Sequence, residues 1–170
     1  MRATQLLALA ALVVAAVTLQ VSVFPHLSVA GVVPDLVLVL VVAAALVRGP
    51  QFAAALGFVA GLALDLAPPA DHTLGRWALT FVVVGYLAGL VRQDARQAPV
   101  ASAMVVAASS FVGTSLFALS GIALGDAGNS VSGALQVIPV ALVYDVAIGL
   151  VILPSVGRLL VRIQPETVRL

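Results

Sequence analysis

Acidic residues in and beside long apolar runs are the positions in this chain where chemistry could occur. Asp35, Asp65 and Asp145 lie within or at the ends of such runs, whereas Asp71 and Asp126 lie in the stretches between them. An ionisable residue inside a membrane segment is a functional candidate, because a charge there is costly without a role or a partner. The acids are therefore the first candidates for proton or cation chemistry.

Asp145 is the most deeply placed of these acids, near the middle of the last apolar run and next to Tyr144. Its position alone makes it a candidate functional residue. The alternative is that it is protonated or accepts hydrogen bonds from hydroxyls of the preceding run, namely Ser109, Ser110, Thr114 and Ser115. No arginine is expected at that depth, which argues against a buried ion pair.

Asp35 and Asp65 are both expected to lie at the ends of helices. Asp35 follows Pro34 at the start of a run that ends at Arg48, and proline followed by a first-turn carboxylate is typical of a helix start. Asp35 and Arg48 would lie ~20 Å apart along one helix, so they are not partners. Asp65 falls in a last turn, where the helix dipole disfavours it. We expect it to pair with Arg76, with a polar group of the second run, or with another protein.

No catalytic, cofactor or metal motif accompanies these acids. The two histidines, His26 and His72, are far apart in the sequence, and the chain has no cysteine. No nucleophile elbow, intramembrane-protease motif or phosphate-binding loop is present. We therefore predict no enzyme, no cofactor and no metal site, and we expect both histidines, Asp71 and Asp126 to be solvated loop residues.

The composition predicts the class of protein that must position these residues. Of the 170 residues, 62% are hydrophobic and only 9% charged, against about 25% charged in a soluble domain. The chain is therefore predicted to be an all-α integral membrane protein, and without a basic run it is not expected to bind nucleic acid. The first apolar run lacks a small-residue cleavage site, which indicates a retained span.

Six apolar segments form the predicted bundle, a single transmembrane domain over residues 1–170. A helix needs about 20 residues to cross the bilayer, and the middle segments are shorter, so flanking residues or local thinning must complete them. The predicted spans cover residues 6–23, 34–47, 52–66, 77–91, 100–124 and 134–157.

The arginines predict the orientation. A cytoplasmic N-terminus places seven of the eight inside, and only Arg76 lies outside, so the positive-inside rule puts both termini in the cytoplasm. A re-entrant loop made of the second and third segments would leave Arg48 near the bilayer centre at a cost of at least ~2.5 kcal/mol. Full crossings are therefore predicted. Asp35 and Asp65 then share the outer rim with Arg76.

Small residues at a spacing of four predict close helix packing. Gly57 and Gly61 form one such pair, and Gly85 and Gly89 form another. Glycines at this spacing let two helix backbones approach closely within a bilayer. These glycines are candidates for internal packing or partner binding, and they give no evidence of chemistry.

The order of several short motifs resembles the rod-shape-determining MreD family. The similarity covers residues 33–91. In the last span Tyr144 and Pro154 fit the family pattern, whereas Asp145 stands where a neutral polar residue such as asparagine is expected. The motifs are Pro34-Asp35-Leu36, Arg48-Gly49, the block GFVAGLALDL at 57–66, Leu74-Gly75 and GYLAGL at 85–90.

This resemblance implies a non-enzymatic subunit of the bacterial cell-wall elongation complex, in the cytoplasmic (inner) membrane. It implies binding to the single-span protein MreC, and an association with RodA, its partner transpeptidase and, indirectly, the MreB filament. The implied fold is like that of the S components of vitamin transporters, with a groove for the MreC helix.

Two other functions stay open on the sequence. One is a true vitamin-binding S component of an energy-coupling-factor transporter. Such a protein needs a pocket of convergent polar or aromatic groups, and this chain has one tryptophan and two tyrosines. The other is a proton-coupled carrier that depends on Asp145, although inverted repeats are not visible.

Overall fold

The computed structural model describes residues 3–29, 31–69, 72–95, 98–126 and 131–163, and these fold into helices. Each of the six predicted segments overlaps one long helix. The single turn α5 was not predicted, and α7 runs to Arg162 instead of ending at residue 157. The elements are α1 Ala3–Ser22, a 3-10 helix Phe24–Leu27, α2 Leu36–Arg48, α3 Pro50–Leu66, α4 Arg76–Leu90, α5 Arg92–Ala95, α6 Pro99–Leu124 and α7 Val131–Arg162.

The helices fall into two length classes. By length and composition α1, α6 and α7 are long and apolar enough to cross a membrane, whereas α2, α3 and α4 are shorter apolar helices. At 1.5 Å per residue the 13 residues of α2 span ~20 Å, and the 32 residues of α7 span ~48 Å. The described chain is thus an all-helical bundle in which short and long apolar helices pack together.

Helix α2 is the centre of the bundle. Residues 36–46 are all buried, and α2 contacts α1, α3, α4, α6 and α7. A helix that is apolar on every side is typical of a protein interior or a membrane span, and here other helices cover every side of it. The valines and leucines of α2 therefore form the core around which the other helices are arranged.

Gly49 reverses the chain between α2 and α3. Its φ of +89° lies in the region that glycine adopts without steric cost, and its N–H donates to the Ala45 carbonyl oxygen at 2.9 Å. Pro50 then occupies the start of α3, where a missing N–H costs nothing. This short turn places α3 antiparallel to α2.

The two glycine pairs lie in the contact between α3 and α4. A Cβ on Gly61 would lie 2.5 Å from the Trp77 carbonyl oxygen, and one on Gly85 would lie 2.7 Å from the Ala53 carbonyl oxygen. Gly57 and Gly89 face backbone atoms of Phe81 and Pro50 in the same way. The backbones of α3 and α4 therefore touch, and these glycines pack the chain against itself.

Four of the described arginines lie at one end of the bundle. Arg92 lies close to Gly49, next to Arg48, and Gly157 lies near Val47, so the end of α7 with Arg158 and Arg162 meets the end of α2. We call this the arginine-rich end. Arg76 lies at the start of α4, which is the opposite end, called here the Arg76 end. Arg2, Arg96, Arg169 and Asp71 fall outside the described residues.

Candidate functional site

Asp35 and Asp145 meet at the start of α2. Asp35 caps this helix, because its Oδ1 accepts the Leu38 N–H at 2.8 Å. Its own backbone N–H donates to Oδ1 of Asp145 at 2.7 Å. The exposed fraction is 9% for Asp35 and 2% for Asp145, so two carboxyl groups are buried side by side. The sequence placed Asp35 on one rim with Asp65 and did not indicate this contact with Asp145.

The second oxygen of Asp145 belongs to the same network. Ser110 of α6 donates its hydroxyl to Oδ2 of Asp145 at 2.6 Å, which confirms the prediction of a hydroxyl partner. Neighbouring Tyr144 donates its phenol to the Leu27 carbonyl oxygen at 3.1 Å. The middle of α7 is thereby tied to α6, to the start of α2 and to the segment after α1.

Gln20 completes this network from α1. Its Nε2 donates to the Pro34 carbonyl oxygen at 3.0 Å, and its Oε1 accepts the Leu36 N–H at 2.7 Å. The first turn of a helix leaves backbone N–H groups without helical partners. Gln20, Asp35 and Asp145 satisfy three of these donors around the start of α2, so polar side chains from three parts of the chain fix where α2 begins.

Asp65 caps the start of α4. Its carboxylate accepts the N–H groups of Gly75 at 3.0 Å, Trp77 at 3.1 Å and Ala78 at 3.1 Å. The residue ends α3, where the dipole of α3 disfavours it, but the dipole of α4 favours a negative charge at the same point. Pairing with the Arg76 side chain was therefore a wrong expectation, because the acceptor oxygens face backbone donors.

The Arg76 side chain is bound to the far end of α6. Its Nη1 lies 2.5 Å from Oδ2 of Asp126, its Nε donates to Ser120 Oγ at 3.3 Å, and its guanidinium lies 3.8 Å from the centre of the Phe117 ring. It also donates to the Phe117 carbonyl oxygen. Arg76 is 3% exposed, and its side chain links α4 to α6.

Asp126 lies in the loop after α6, as expected, but its carboxylate is bonded there, which the sequence did not indicate. Besides Arg76, it accepts the Thr73 hydroxyl at 2.8 Å and the Thr73 N–H at 3.3 Å. These hydrogen bonds from Thr73, and after them the Arg76 charge, lower the pKa of the Asp126 carboxyl from its ordinary value of 3.8. The loop before α4 is therefore fastened to the loop after α6.

The two histidines differ in their exposure and in their contacts. His26 is exposed, as expected for a solvated residue. His72 packs edge-on against Phe117 with ring centres 5.4 Å apart, and its Nδ1 lies 3.6 Å from Oδ1 of Asp65. It therefore belongs to a polar cluster at the Arg76 end, which the sequence did not indicate. The members of this cluster are Asp65, His72, Thr73, Arg76 and Asp126.

A cavity of about 270 Å³ lies between this cluster and the Asp35–Asp145 pair. Trp77 and Phe117, whose stacked rings have centres 4.1 Å apart, line it together with Thr114. A small cavity with aromatic walls and a few polar groups is the kind of place where small molecules bind. Among the described residues, no group of three or more His, Asp or Glu side chains is placed to hold a metal ion.

Comparison with known proteins identifies the family. No curated protein and no solved structure matches the chain. The model of the family described as rod shape-determining protein MreD matches residues 1–162, far beyond the motifs at 33–91 that first resembled it. The family resemblance inferred from the sequence is thus confirmed. The chain belongs to the MreD family of rod shape-determining membrane proteins.

Proposed function

We propose that this protein is a non-enzymatic subunit of the cell-wall elongation complex, and that it binds the single transmembrane helix of MreC. The observation that carries the proposal is the family match over residues 1–162. Through MreC it would act on the RodA–transpeptidase pair and, indirectly, on MreB, and so on peptidoglycan synthesis and cell shape.

The proposed topology has six crossings of the cytoplasmic membrane with both termini in the cytoplasm. Its support is the distribution of charge, because Arg48, Arg92, Arg158 and Arg162 share one end of the bundle and Arg76 lies at the other. Positively charged residues flank membrane helices mainly on the cytoplasmic side. The arginine-rich end would then face the cytoplasm, and the Arg76 end would face outward.

The short central helices fit this topology because α2 is shielded from lipid. Its ~20 Å are less than the ~30 Å of a bilayer core. Since every residue from 36 to 46 is buried, protein and not hydrocarbon surrounds the ends of α2. An S-component-like arrangement of the helices stays a prediction.

A groove between α4 and α6 is the surface that we assign to the MreC helix. It has a volume of about 560 Å³ and lies in the half of the bundle nearer the arginine-rich end. Ala88, Ala101 and Ala108 are among its lining residues, and small side chains let two helices approach closely in a membrane. The glycine pairs do not offer this surface, because they are enclosed between α3 and α4.

The test is to fill the groove without touching the core. Ala108 is exposed, so Ala108→Leu adds volume to the groove and leaves internal packing intact. Ala123→Leu is the matched control, because Ala123 is also exposed on α6 but lies outside the groove. Copurification of tagged MreC from mild detergent should fall with Ala108→Leu and stay at the level of the unsubstituted protein with Ala123→Leu.

A photo-crosslinking amino acid gives a second measurement. At Met104, which lines the groove and is exposed, it should crosslink to MreC, whereas at Leu119 it should not. Crosslinking at Leu119 alone, with full copurification of Ala108→Leu, would reject this groove. Depletion of the protein should also round the cells, and cells that keep their rod shape would contradict the function itself.

The cavity at the Arg76 end favours one second candidate, a vitamin-binding S component. Its aromatic walls at Trp77 and Phe117 and its two carboxyl groups would suit a small polar molecule. Mass spectrometry of the purified protein distinguishes the two functions. A vitamin retained at near-equal molar amount, together with normal cell shape after depletion, would favour the transporter.

A further inference from the structure

A cavity at the arginine-rich end has a charged mouth. It has a volume of about 440 Å³ and lies between α2, α6 and α7, where Val47, Gly157, Arg158 and Arg162 line it. The two arginines are four residues apart, so they lie on the same side of α7. The Nε of Arg158 donates to the Pro154 carbonyl oxygen at 3.2 Å, which holds this guanidinium beside the opening.

The same cavity continues as an apolar slot along α7. A second cavity of about 260 Å³ shares Ser102, Leu153 and Pro154 with the first, and reaches Gly149 and Val106. Gly149 lies nine residues before Arg158, which is ~13 Å along the helix toward the middle of the bundle. The combined surface is basic at the end of the bundle and apolar toward its centre.

The combination of a basic mouth and an apolar slot determines which class of molecule can bind in this groove. Arginine binds phosphate with paired N–H donors, and basic pockets between membrane helices on the cytoplasmic side bind lipid head groups. The helix dipole favours Arg162 in the last turn of α7, but that effect explains neither the cavity beside the arginines nor its apolar extension. A free phosphate ion would fill the mouth and leave the slot empty.

We propose that this groove binds an anionic phospholipid, with its phosphate at Arg158 and Arg162 and one acyl chain in the slot between α6 and α7. The site is separate from the α4–α6 groove assigned to MreC, with which it shares no lining residue. The proposal therefore does not depend on that assignment. The lipid would belong to the leaflet at the arginine-rich end.

The experiment measures lipid retention and thermal unfolding of the purified full chain in detergent, with phosphatidylglycerol or phosphatidylcholine added. We expect phosphatidylglycerol to be retained in native mass spectra and to raise the unfolding temperature more than phosphatidylcholine. Arg158→Gln and Arg162→Gln should each weaken retention about five-fold, the contribution of one arginine at an anionic surface. Arg92→Gln is the control, because it removes the same charge at the same end but outside the groove.

A steric variant tests the acyl-chain slot independently of charge. A Cβ on Gly157 would meet only Val47, at 3.9 Å, so the backbone leaves room for a side chain, and we expect Gly157→Leu to fill the mouth of the groove. It should lose phosphatidylglycerol while its unfolding temperature without lipid stays unchanged. Inorganic phosphate, the probe without a chain, should neither stabilise the protein nor compete with the lipid.

Three results would overturn the proposal. One is equal retention of phosphatidylglycerol by the unsubstituted protein and by both Arg158→Gln and Gly157→Leu. Another is equal stabilisation by phosphatidylcholine. The third is competition by inorganic phosphate at the concentration that saturates the lipid, which would indicate a phosphate site without a role for the slot.

Discussion

The backbone N–H of Asp35 donates to the carboxylate of Asp145 across 110 positions of sequence, at 2.7 Å. The same carboxylate accepts the Ser110 hydroxyl. One side chain therefore joins the start of α2, the middle of α6 and the middle of α7. These hydrogen bonds give the buried acid a structural role, because they hold three helices in register.

Asp145 variants should separate hydrogen bonding from charge. Asp145→Asn keeps an acceptor for the Asp35 N–H and a polar partner for Ser110, so we expect near-normal stability. An asparagine is also what the family resemblance suggests at this position. Asp145→Ala leaves the buried Asp35 N–H without its acceptor, at a cost of about 1–3 kcal/mol. Thermal unfolding in detergent measures the stability of both variants. An equal loss of stability in the two would show that the charge itself is required.

Asp65→Ala should destabilise the hairpin of α3 and α4. The substitution removes the acceptor of three backbone N–H groups at the start of α4. Loss of a helix cap costs about 0.5–2 kcal/mol, and hydrogen bonds to a charged group are stronger, so we expect a loss of about 2–4 kcal/mol. Chemical denaturation measures it. Asp65→Asn is the control and should recover part of the stability. An unchanged free energy of unfolding for Asp65→Ala would contradict the capping role.

The link between Asp126 and the loop before α4 should depend on pH. Thr73 and then Arg76 hold the pKa of Asp126 below 3.8. A carboxyl group whose pKa is lowered by folding contributes stability above its unfolded pKa, and this is lost as pH falls through the folded value. We therefore expect the protection of amide hydrogens in the loops at the Arg76 end, measured relative to intrinsic exchange at the same pH, to fall below about pH 4. In Asp126→Asn this protection should already be reduced at neutral pH and should lose its acid dependence.

The α3–α4 glycines should tolerate no side chain. In Gly61→Ala the new Cβ would lie 2.5 Å from the Trp77 carbonyl oxygen, which is backbone and cannot turn away. Overpacking of this kind typically costs 1–3 kcal/mol, so the unfolding temperature should fall. Gly157→Ala is the matched control, because its Cβ would have an ordinary contact of 3.9 Å. Equal unfolding temperatures for the two variants would show that α3 and α4 can separate freely.

The local features of the fold could be predicted from sequence, because they depend on residues close together in the chain. The Pro34-Asp35 start of α2, its end at Arg48 and the Gly49-Pro50 turn are examples. Apart from the hydroxyl partner of Asp145, the contacts of the candidate site could not be predicted, because they join distant positions. Asp145 meets Asp35, and Arg76 meets Asp126 fifty residues away.

Asp65 shows that the partner of a side chain can be predicted wrongly even when the two residues lie close together in the sequence. The sequence supplied one acid and one arginine near the same rim, and opposite charges suggested a pair. In the structure Asp65 accepts backbone N–H groups at the start of α4, and the Arg76 side chain contacts α6 instead. Backbone donors are present at every helix start, so composition alone does not reveal which of them needs a side-chain acceptor.

The complete burial of α2 has a consequence for biosynthesis. In the finished bundle no residue from 36 to 46 faces lipid, yet this helix leaves the ribosome before α3, α4, α6 and α7 exist to cover it. A segment that must enter the bilayer early needs side chains with favourable insertion energies. In the proposed six-crossing topology the valines and leucines of α2 would therefore act twice, first in bringing the segment into the membrane and afterwards as the interior of the protein.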